Sequence, residues 1–371
     1  MTGTELLLGI FDAVASENYL AALLTVATFL GFAVLGIIFA RRSGVFFLGA
    51  EGVLLVSSAG AYFGDVLMRK KVIGAALAGS DGYEALLSRA DRAGWIGGLL
   101  VGLAAGLLFT LLLSWFLLYV RSNTIVTGMA FNFLAYALCG MTLRLSNRQD
   151  IDVSSLTASP LPFVTVSRAA DLPVLSGLFA HTSLFTYLAL LAPLAAFYLL
   201  NRTDFGLRLR AAEQNPTALS SAGLNVTRTQ LTGMAFAGLA VSLGGVTLSL
   251  AQPTPTFTSV PYGLGFLALA AVWACAGRLG RSCFGVLLLS LVGALPLVLK
   301  DLPVQLPLVD SLLYLAALAG MLLHSHNDRQ RDKLHLRAQR NLVQGMLEKQ
   351  IERSKAKNRS KTPPRQSKQK K

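Results

Sequence analysis

Nine apolar stretches follow one another between residues 19 and 323, and no other feature restricts the fold of this chain as much. Because about 20 apolar residues make a helix long enough to cross the hydrocarbon of a bilayer, each stretch is expected to be a transmembrane helix. The stretches are Tyr19–Ala40, Val45–Phe63, Trp95–Val120, Ile125–Leu143, Ser183–Leu200, Gln230–Leu250, Gly263–Ala276, Cys283–Leu299 and Val309–Leu323. Gly263–Ala276 is the weakest candidate, because it is short.

The composition supports the same fold class. Of the 371 residues, 53% are hydrophobic and 14% are charged, and the mean hydropathy is +0.56. A soluble domain of this size would need far more polar side chains to cover its core. The expected fold is therefore an all-α, polytopic membrane helix bundle in residues 1–323, with about nine transmembrane helices in a range of about eight to ten.

The net charge of +14 is concentrated in a C-terminal tail. Residues 324–371 hold 15 Lys and Arg against 4 Asp and Glu, so this tail carries +11 of the total. The positive-inside rule places the tail in the cytoplasm. Nine crossings then place the N-terminus outside, although an even number would reverse it. Five basic residues oppose the rule, because they fall in an expected outer loop, Gly64–Gly94: Arg69, Lys70, Lys71, Arg89 and Arg92.

The tail is expected to bind membrane lipids rather than nucleic acid. Leu336, Val343, Leu347 and Ile351 form an apolar stripe among basic residues, which fits an interfacial helix on anionic lipid. The tail has no aromatic side chain on which bases could stack. Its last part, Ser354–Lys371, has the composition of a disordered segment.

The sequence has no pattern typical of a metal or nucleotide site. Its four histidines, His181, His324, His326 and His335, do not form a metal-binding set. Its three cysteines show no C-x-x-C spacing, and the phosphate-binding pattern G-x-x-x-x-G-K-[ST] is missing. No metal and no cofactor are therefore expected in this chain, and any ATP would be used by a partner subunit.

One polar connection, Asn201–Thr229 (loop 201–229), carries the clearest local signals and is expected on the cytoplasmic side. Asn215 before Pro216 is a good helix start, with Asn as the N-cap and Pro at the first helical position. The sequence predicts a short helix over Thr217–Ala222, with Gly223 placed to end it. Such a helix, held below the membrane by two longer ones, is suited to dock a soluble partner. An ordinary basic connection is the alternative.

Loop 201–229 resembles the coupling loop of ABC-importer permeases for branched-chain amino acids, ribose-type sugars and nucleosides. The matching positions are Gly206, Arg210, Ala211, Asn215, Pro216, Ala218, Gly223, Asn225 and Val226. Two further stretches, Arg42–Gly52 and Gly263–Arg278, are similar to other motifs of that family, and the three motifs occur in the family's order. The form of Arg42–Gly52 most resembles the nucleoside-type permeases, which depend on a basic membrane lipoprotein.

The resemblance implies a transport subunit of the bacterial inner membrane rather than an enzyme. Its implied partners are ABC ATPase subunits, a second permease subunit (identical or different) and an extracytoplasmic substrate-binding lipoprotein. The residues implied to couple to the ATPase are Gly206, Arg210, Ala211, Asn215, Pro216, Ala218, Gly223 and Asn225. Nucleosides are the first expected solute, followed by simple sugars and branched-chain amino acids. An autonomous secondary transporter or channel is the alternative function.

Three residues within the apolar stretches are candidates for the translocation pathway. The carboxylate of Glu51 costs free energy at membrane depth unless another group pairs with it. Glu51 could either line the pathway or stabilise a break in the helix near Gly52. Asn132 raises the same question, with hydrogen bonding between helices favoured over solute contact. Trp273 is expected mainly to pack, with pathway lining as the lesser option.

Overall fold

The computed structural model describes residues 17–76, 83–147, 183–250, 263–299 and 311–322, and these residues form helices joined by short connections. The helices are α1 (Glu17–Arg42), α2 (Ala50–Ala76), α3 (Tyr83–Leu118), α4 (Thr124–Asn147), α5 (Leu184–Arg202), α6 (Asp204–Gln214), α7 (Pro216–Ser221), α8 (Val226–Leu250), α9 (Leu264–Ala274), α10 (Leu279–Gly293), α11 (Leu295–Leu299) and α12 (Ser311–Leu322). The predicted all-α class is confirmed.

Five of these helices, α1, α3, α4, α5 and α8, are long and apolar enough to cross a membrane. The three shorter apolar helices α9, α10 and α12 accompany them. Together they confirm the predicted polytopic membrane bundle. The predicted tail 324–371 and the four histidines lie outside the described residues.

The centre of the bundle is formed by α1, α2, α3 and α8, which approach one another through small residues. A Cβ atom added to Gly102 of α3 would meet the Ser57 carbonyl and the Ala61 side chain of α2. A Cβ atom on Gly245 of α8 would collide with the Leu54 carbonyl, also in α2. Helices in a membrane associate by such close backbone contact, because lipid is as apolar as their side chains. The bundle core is therefore a tight and specific packing.

The second predicted span and the outer loop after it differ from the structure. The helix begins at Ala50 rather than Val45, after a non-helical segment, and continues past Phe63 to Ala76. Because α3 already begins at Tyr83, most of the predicted outer loop Gly64–Gly94 is helical.

A charged cluster explains the continued helices. Arg69 lies 3.3 Å (Nε–Oδ1) from Asp65, one turn earlier on α2, and 3.1 Å (Nη2–Oδ1) from Asp91 of α3. Asp65 is 2% exposed and Arg69 is 7% exposed. These charges interrupt the hydropathy pattern of the sequence, but Arg69 pairs with one aspartate on each of the two helices. The interruption therefore marks an ion-pair cluster and not a loop.

The stretch Gly263–Ala276 forms a half-span, which is a helix long enough to cross only about half of the hydrocarbon. Its helix α9 has 11 residues, which corresponds to about 16 Å at 1.5 Å per residue, whereas the hydrocarbon is about 30 Å thick. The helix ends in a turn in which Ala276 and Gly277 have φ of 56° and 65°. The next helix begins at Leu279, before the predicted Cys283, and a break after Gly293 separates it from α11.

Candidate functional site

The short helix predicted in loop 201–229 is present as α7, which spans Pro216–Ser221. The Asn215 Oδ1 atom accepts a hydrogen bond from the Ala218 amide at 3.1 Å, which satisfies one of the free N–H groups at the helix start. Pro216 occupies the first turn, where its missing N–H costs nothing. The start of α7 is thus built as the sequence predicts.

The end of α7 is a complete Schellman motif. The Gly223 N–H bonds to the Ser220 carbonyl at 3.0 Å, and the Leu224 N–H bonds to the Leu219 carbonyl at 3.3 Å. Gly223 has a φ of 78°, in the left-handed region that glycine adopts without strain. Because both ends of α7 are capped, a helix of only six residues is stable in this position.

The preceding helix, α6, anchors α7 to the bundle. Leu209 and Ala212 are buried on one side of α6. Gly206 is buried at the turn from α5, where a Cβ atom would collide with the Leu200 carbonyl. Arg210 is half-buried, and its Nε has no hydrogen-bond partner within the described residues. Loop 201–229 is therefore a packed unit rather than a loose connection.

The predicted coupling residues divide into buried supports and exposed positions. Gly206 is buried, and Arg210 and Ala211 are half-buried. Asn225 accepts a hydrogen bond from the Arg228 amide at 3.1 Å and so caps α8, as Asn215 caps α7. Asn215, Pro216, Ala218, Gly223 and Asn225 are exposed. Contact of these residues with an ATPase stays a prediction.

Glu51, 2% exposed, is held by the start of another helix. Its Oε1 accepts a hydrogen bond from the Gly263 N–H at 2.8 Å, and its Oε2 accepts one from the Gly265 N–H at 2.5 Å. The Tyr136 hydroxyl donates to Oε1 at 3.4 Å. A carboxylate is stabilised at a helix N-terminus by the free N–H groups and by the helix dipole. Glu51 thus caps the half-span α9 from the first turn of α2.

Asn132 does the same for the start of α2. Its Oδ1 accepts a hydrogen bond from the Gly52 N–H at 2.8 Å, and its Nδ2 donates to the Leu48 carbonyl at 3.2 Å. Asn132 thus makes the bonds between helices that the sequence favoured. Tyr136, one turn further along α4, cannot be recognised from the sequence, because nothing local distinguishes it from a packing tyrosine. The starts of α2 and α9 and the middle of α4 form one polar junction.

Trp273 lies at the other end of α9, about 12 Å from Gly265 along the helix axis at 1.5 Å per residue. It is 41% exposed, and its ring packs edge-on to Phe46 with 5.7 Å between centroids. The Arg41 guanidinium carbon lies 5.1 Å from the centre of the Trp273 ring, a cation–π contact. The structure therefore brings Glu51 and Asn132 together and separates Trp273 from them.

No group of three or more His, Cys, Asp or Glu that could hold a metal ion occurs within the part of the chain that the structure describes. The pathway roles of Glu51, Asn132 and Trp273 stay predictions.

Comparison with known proteins gives consistent matches over most of the chain. The guanosine ABC transporter permease protein NupQ of Bacillus subtilis (strain 168) is 29% identical over 298 residues, 78% of this chain and 86% of NupQ. The nucleoside ABC transporter permease protein NupC of Lactococcus lactis subsp. cremoris (strain MG1363) is 28% identical over 312 residues, 81% of this chain and 92% of NupC. The guanosine permease protein NupP of the same Bacillus strain is 26% identical over 280 residues, 73% of this chain and 70% of NupP. No solved structure matches the chain.

A family model agrees with these relatives. The model described as the permease component of the branched-chain amino acid transport system matches residues 19–323, which include every helix discussed above except the first residues of α1. The chain therefore belongs to the branched-chain amino acid transport system permease family.

Proposed function

We propose that this chain is the membrane-spanning subunit of an ATP-driven importer and that α7 is its contact with the ATPase. The observation that carries the proposal is the surface of α7. Five of its six residues are exposed, and Leu219 alone is buried. The exposed positions include small side chains, Ala218, Ser220 and Ser221, which would let a partner approach the backbone closely. The capped ends hold this surface in one shape before a partner binds, which lowers the entropy cost of docking.

The energy for transport comes from outside this chain in the proposed scheme. The sequence has no phosphate-binding G-x-x-x-x-G-K-[ST] pattern, so ATP is hydrolysed by separate ATPase subunits. A second permease subunit completes the pathway, and an extracytoplasmic lipoprotein delivers the solute. We place loop 201–229 and the tail 324–371 in the cytoplasm of a bacterium, in line with the basic residues of both.

Nucleosides are the proposed solute class. The names of NupQ, NupC and NupP refer to guanosine or nucleosides, and each match extends over 73% or more of this chain. Simple sugars and branched-chain amino acids are the competing classes.

The hydrogen bonds of Glu51 favour an importer subunit over an autonomous ion-coupled transporter. A coupling carboxylate must exchange its proton or ion during each cycle, whereas Glu51 is 2% exposed and is engaged by the amides of Gly263 and Gly265.

Co-purification tests the α7 assignment. Ala218→Trp places a large side chain on the exposed face without touching the core, and we expect it to reduce recovery of the ATPase subunit by at least about tenfold, as the loss of one strong interface contact does. The matched control is Ala195→Trp on the exposed side of α5, which should leave recovery unchanged. Equal recovery for both variants would reject the assignment.

Uptake tests the solute class. A strain that lacks the chromosomal copy should recover uptake of radiolabelled guanosine when the full chain is restored together with its ATPase and lipoprotein. Excess unlabelled nucleosides should abolish the signal, whereas glucose and leucine should not. Competition by glucose or leucine alone would replace nucleosides with that class.

A further inference from the structure

Arg41, the penultimate residue of α1, lies between loop 201–229 and the half-span α9. On one side its Nε is 3.9 Å from Oε1 of Glu213 in α6, and the neighbouring Arg42 binds the other oxygen of that carboxylate at 3.4 Å. On the other side its guanidinium covers the ring of Trp273 in the last turn of α9. A single side chain thus contacts the two elements.

The link to α7 is short and rigid. Glu213 is three residues before Pro216 and belongs to α6, whose Leu209 and Ala212 are buried. The turn after α1 fits closely against α6, because a Cβ atom on Gly44 would lie 3.1 Å from the Ala212 carbonyl. A displacement of α7 would therefore reach Glu213 and the end of α1 without being absorbed by a loose segment.

The link to α9 is equally direct. A Cβ atom on Gly277, in the left-handed turn after α9, would overlap the Arg41 guanidinium. Phe46, in the non-helical segment before α2, packs on the same Trp273 ring. The opposite end of α9 is held by Glu51, so a push at Trp273 acts on a helix that is fixed to the polar junction at its other end.

The contact also has room to change. A cavity of about 250 Å³ is bordered by Arg41, Phe46, Glu213 and Trp273. Within the described residues, the buried Nη1 of Arg41 has no hydrogen-bond partner. The distance of 3.9 Å between Arg41 and Glu213 is longer than a hydrogen bond. A small movement of α6 would close this distance and shift the guanidinium from the ring.

We propose that Arg41 and Trp273 are positioning residues that transmit the movement of loop 201–229 to α9 and so determine how much solute is moved for each ATP hydrolysed. The proposal rests on the proposed function, since it requires an ATPase at α7. It adds the route by which a displacement of loop 201–229 reaches the membrane interior.

Tryptophan fluorescence tests the route without reference to the solute. The chain has three tryptophans, so Trp95→Phe combined with Trp115→Phe leaves Trp273 as its one tryptophan. The emission of the same complex with Trp273→Phe added is subtracted, which removes the contribution of the partner subunits. In the assembled complex in nanodiscs, trapping the ATPase with ATP and vanadate should shift the Trp273 emission to longer wavelength. Glu213→Gln should abolish the shift while the ATPase remains bound. An unchanged emission on trapping, or a full shift in Glu213→Gln, would overturn the proposal.

Transport stoichiometry supplies the second test. In liposomes that contain the complex, Trp273→Leu should lower guanosine uptake per ATP hydrolysed by about fivefold or more, the lower range of coupling between sites. Trp273→Phe, which keeps an aromatic face for Arg41, should restore part of it. The matched control Trp115→Leu, on an exposed position of α3, should leave the ratio unchanged. A ratio that stays constant in Trp273→Leu contradicts the route.

The two proposals fail in different ways. If the wild-type chain does not bind an ATPase, or if its uptake continues without ATP, the proposed function is wrong. If the wild type binds its ATPase and transports, and the Trp273 signal does not respond, the route alone is wrong.

Discussion

At the residue scale, Glu51 shows how a charge is accommodated within the bundle. Its carboxylate accepts the hydrogen bonds that the free N–H groups at the start of α9 would otherwise donate to water. Its neighbour on α4, Asn132, does the same for α2. Both side chains therefore satisfy backbone groups that lipid cannot satisfy. Their position in the middle of apolar stretches reflects broken helices as much as any contact with solute.

Replacement of Glu51 tests this capping role. Glu51→Leu removes the acceptor for the Gly263 and Gly265 amides, and we expect a loss of stability of about 1–3 kcal/mol for each donor left unsatisfied. The side chain in Glu51→Gln has the same shape and keeps one acceptor oxygen, so this variant should lose clearly less stability. Thermal unfolding of the two variants in detergent measures the difference. Equal melting temperatures would contradict the capping role.

The Arg69 cluster is the second residue-scale feature with a measurable consequence. Arg69→Leu deprives the buried Asp65 of an ion pair at 3.3 Å, and breaking a buried pair from one side costs about 3 kcal/mol. The double variant Asp65→Leu with Arg69→Leu removes both charges and should recover part of this loss. A double variant less stable than Arg69→Leu, measured in the same unfolding assay, would show that Asp65 stabilises the bundle without Arg69 and would contradict an unpaired buried charge as the cause of the loss.

At the element scale, the caps of α7 could be predicted from the sequence, whereas the limits of α2 and α9 could not. Asn215, Pro216 and Gly223 act on residues within four positions of themselves, so local patterns are enough. The starts of α2 and α9 depend instead on Asn132 and Glu51. Asn132 is 80 positions away from the amide that donates to it, and Glu51 is more than 200 positions away from its donors. Hydropathy alone therefore does not separate the non-helical segment at Val45 from the helix after it.

The Schellman motif of α7 leads to a prediction at this scale. Gly223→Ala meets no neighbouring atom, so its only cost is the left-handed backbone, about 1–2 kcal/mol for a residue with a side chain. This strain should loosen α7 and reduce co-purification with the ATPase. Gly140→Ala in α4 is the control, because its added methyl also meets open space, but its backbone is helical. Normal recovery of the ATPase with Gly223→Ala would contradict a need for the cap.

At the scale of the whole molecule, the helix order places the start of α3 and loop 201–229 at opposite ends of the bundle. The chain leaves α1 beside α6, passes along α2 and returns along α3, which has 36 residues. This length corresponds to about 54 Å, well beyond the hydrocarbon thickness of about 30 Å. The helical pair α2–α3 is therefore expected to continue past one membrane surface, with the Asp65–Arg69–Asp91 cluster towards that end.

Labelling with a membrane-impermeant maleimide tests the orientation proposed above. In a background with Cys275→Ser and Cys283→Ser, Cys139 is buried and should stay unlabelled. Arg92→Cys, near the start of α3, should react in intact cells, whereas Ser221→Cys on α7 should react only after the membrane is opened. Both substituted positions are exposed in the structure. The reverse pattern would place loop 201–229 outside and reject its contact with a cytoplasmic ATPase.

The capped start of α9 has a consequence for what the bundle can carry. The first amides of a broken helix inside a membrane can donate hydrogen bonds to a negatively charged solute, as in transporters that bind a solute carboxylate in this way. Here the protein's own carboxylate already holds two of those amides, from Gly263 and Gly265. If the translocation pathway runs past the start of α9, as the sequence predicts for Glu51, a phosphorylated or acidic solute would find these two amides already bonded and would meet a like charge beside them. A neutral solute is then expected to pass more easily.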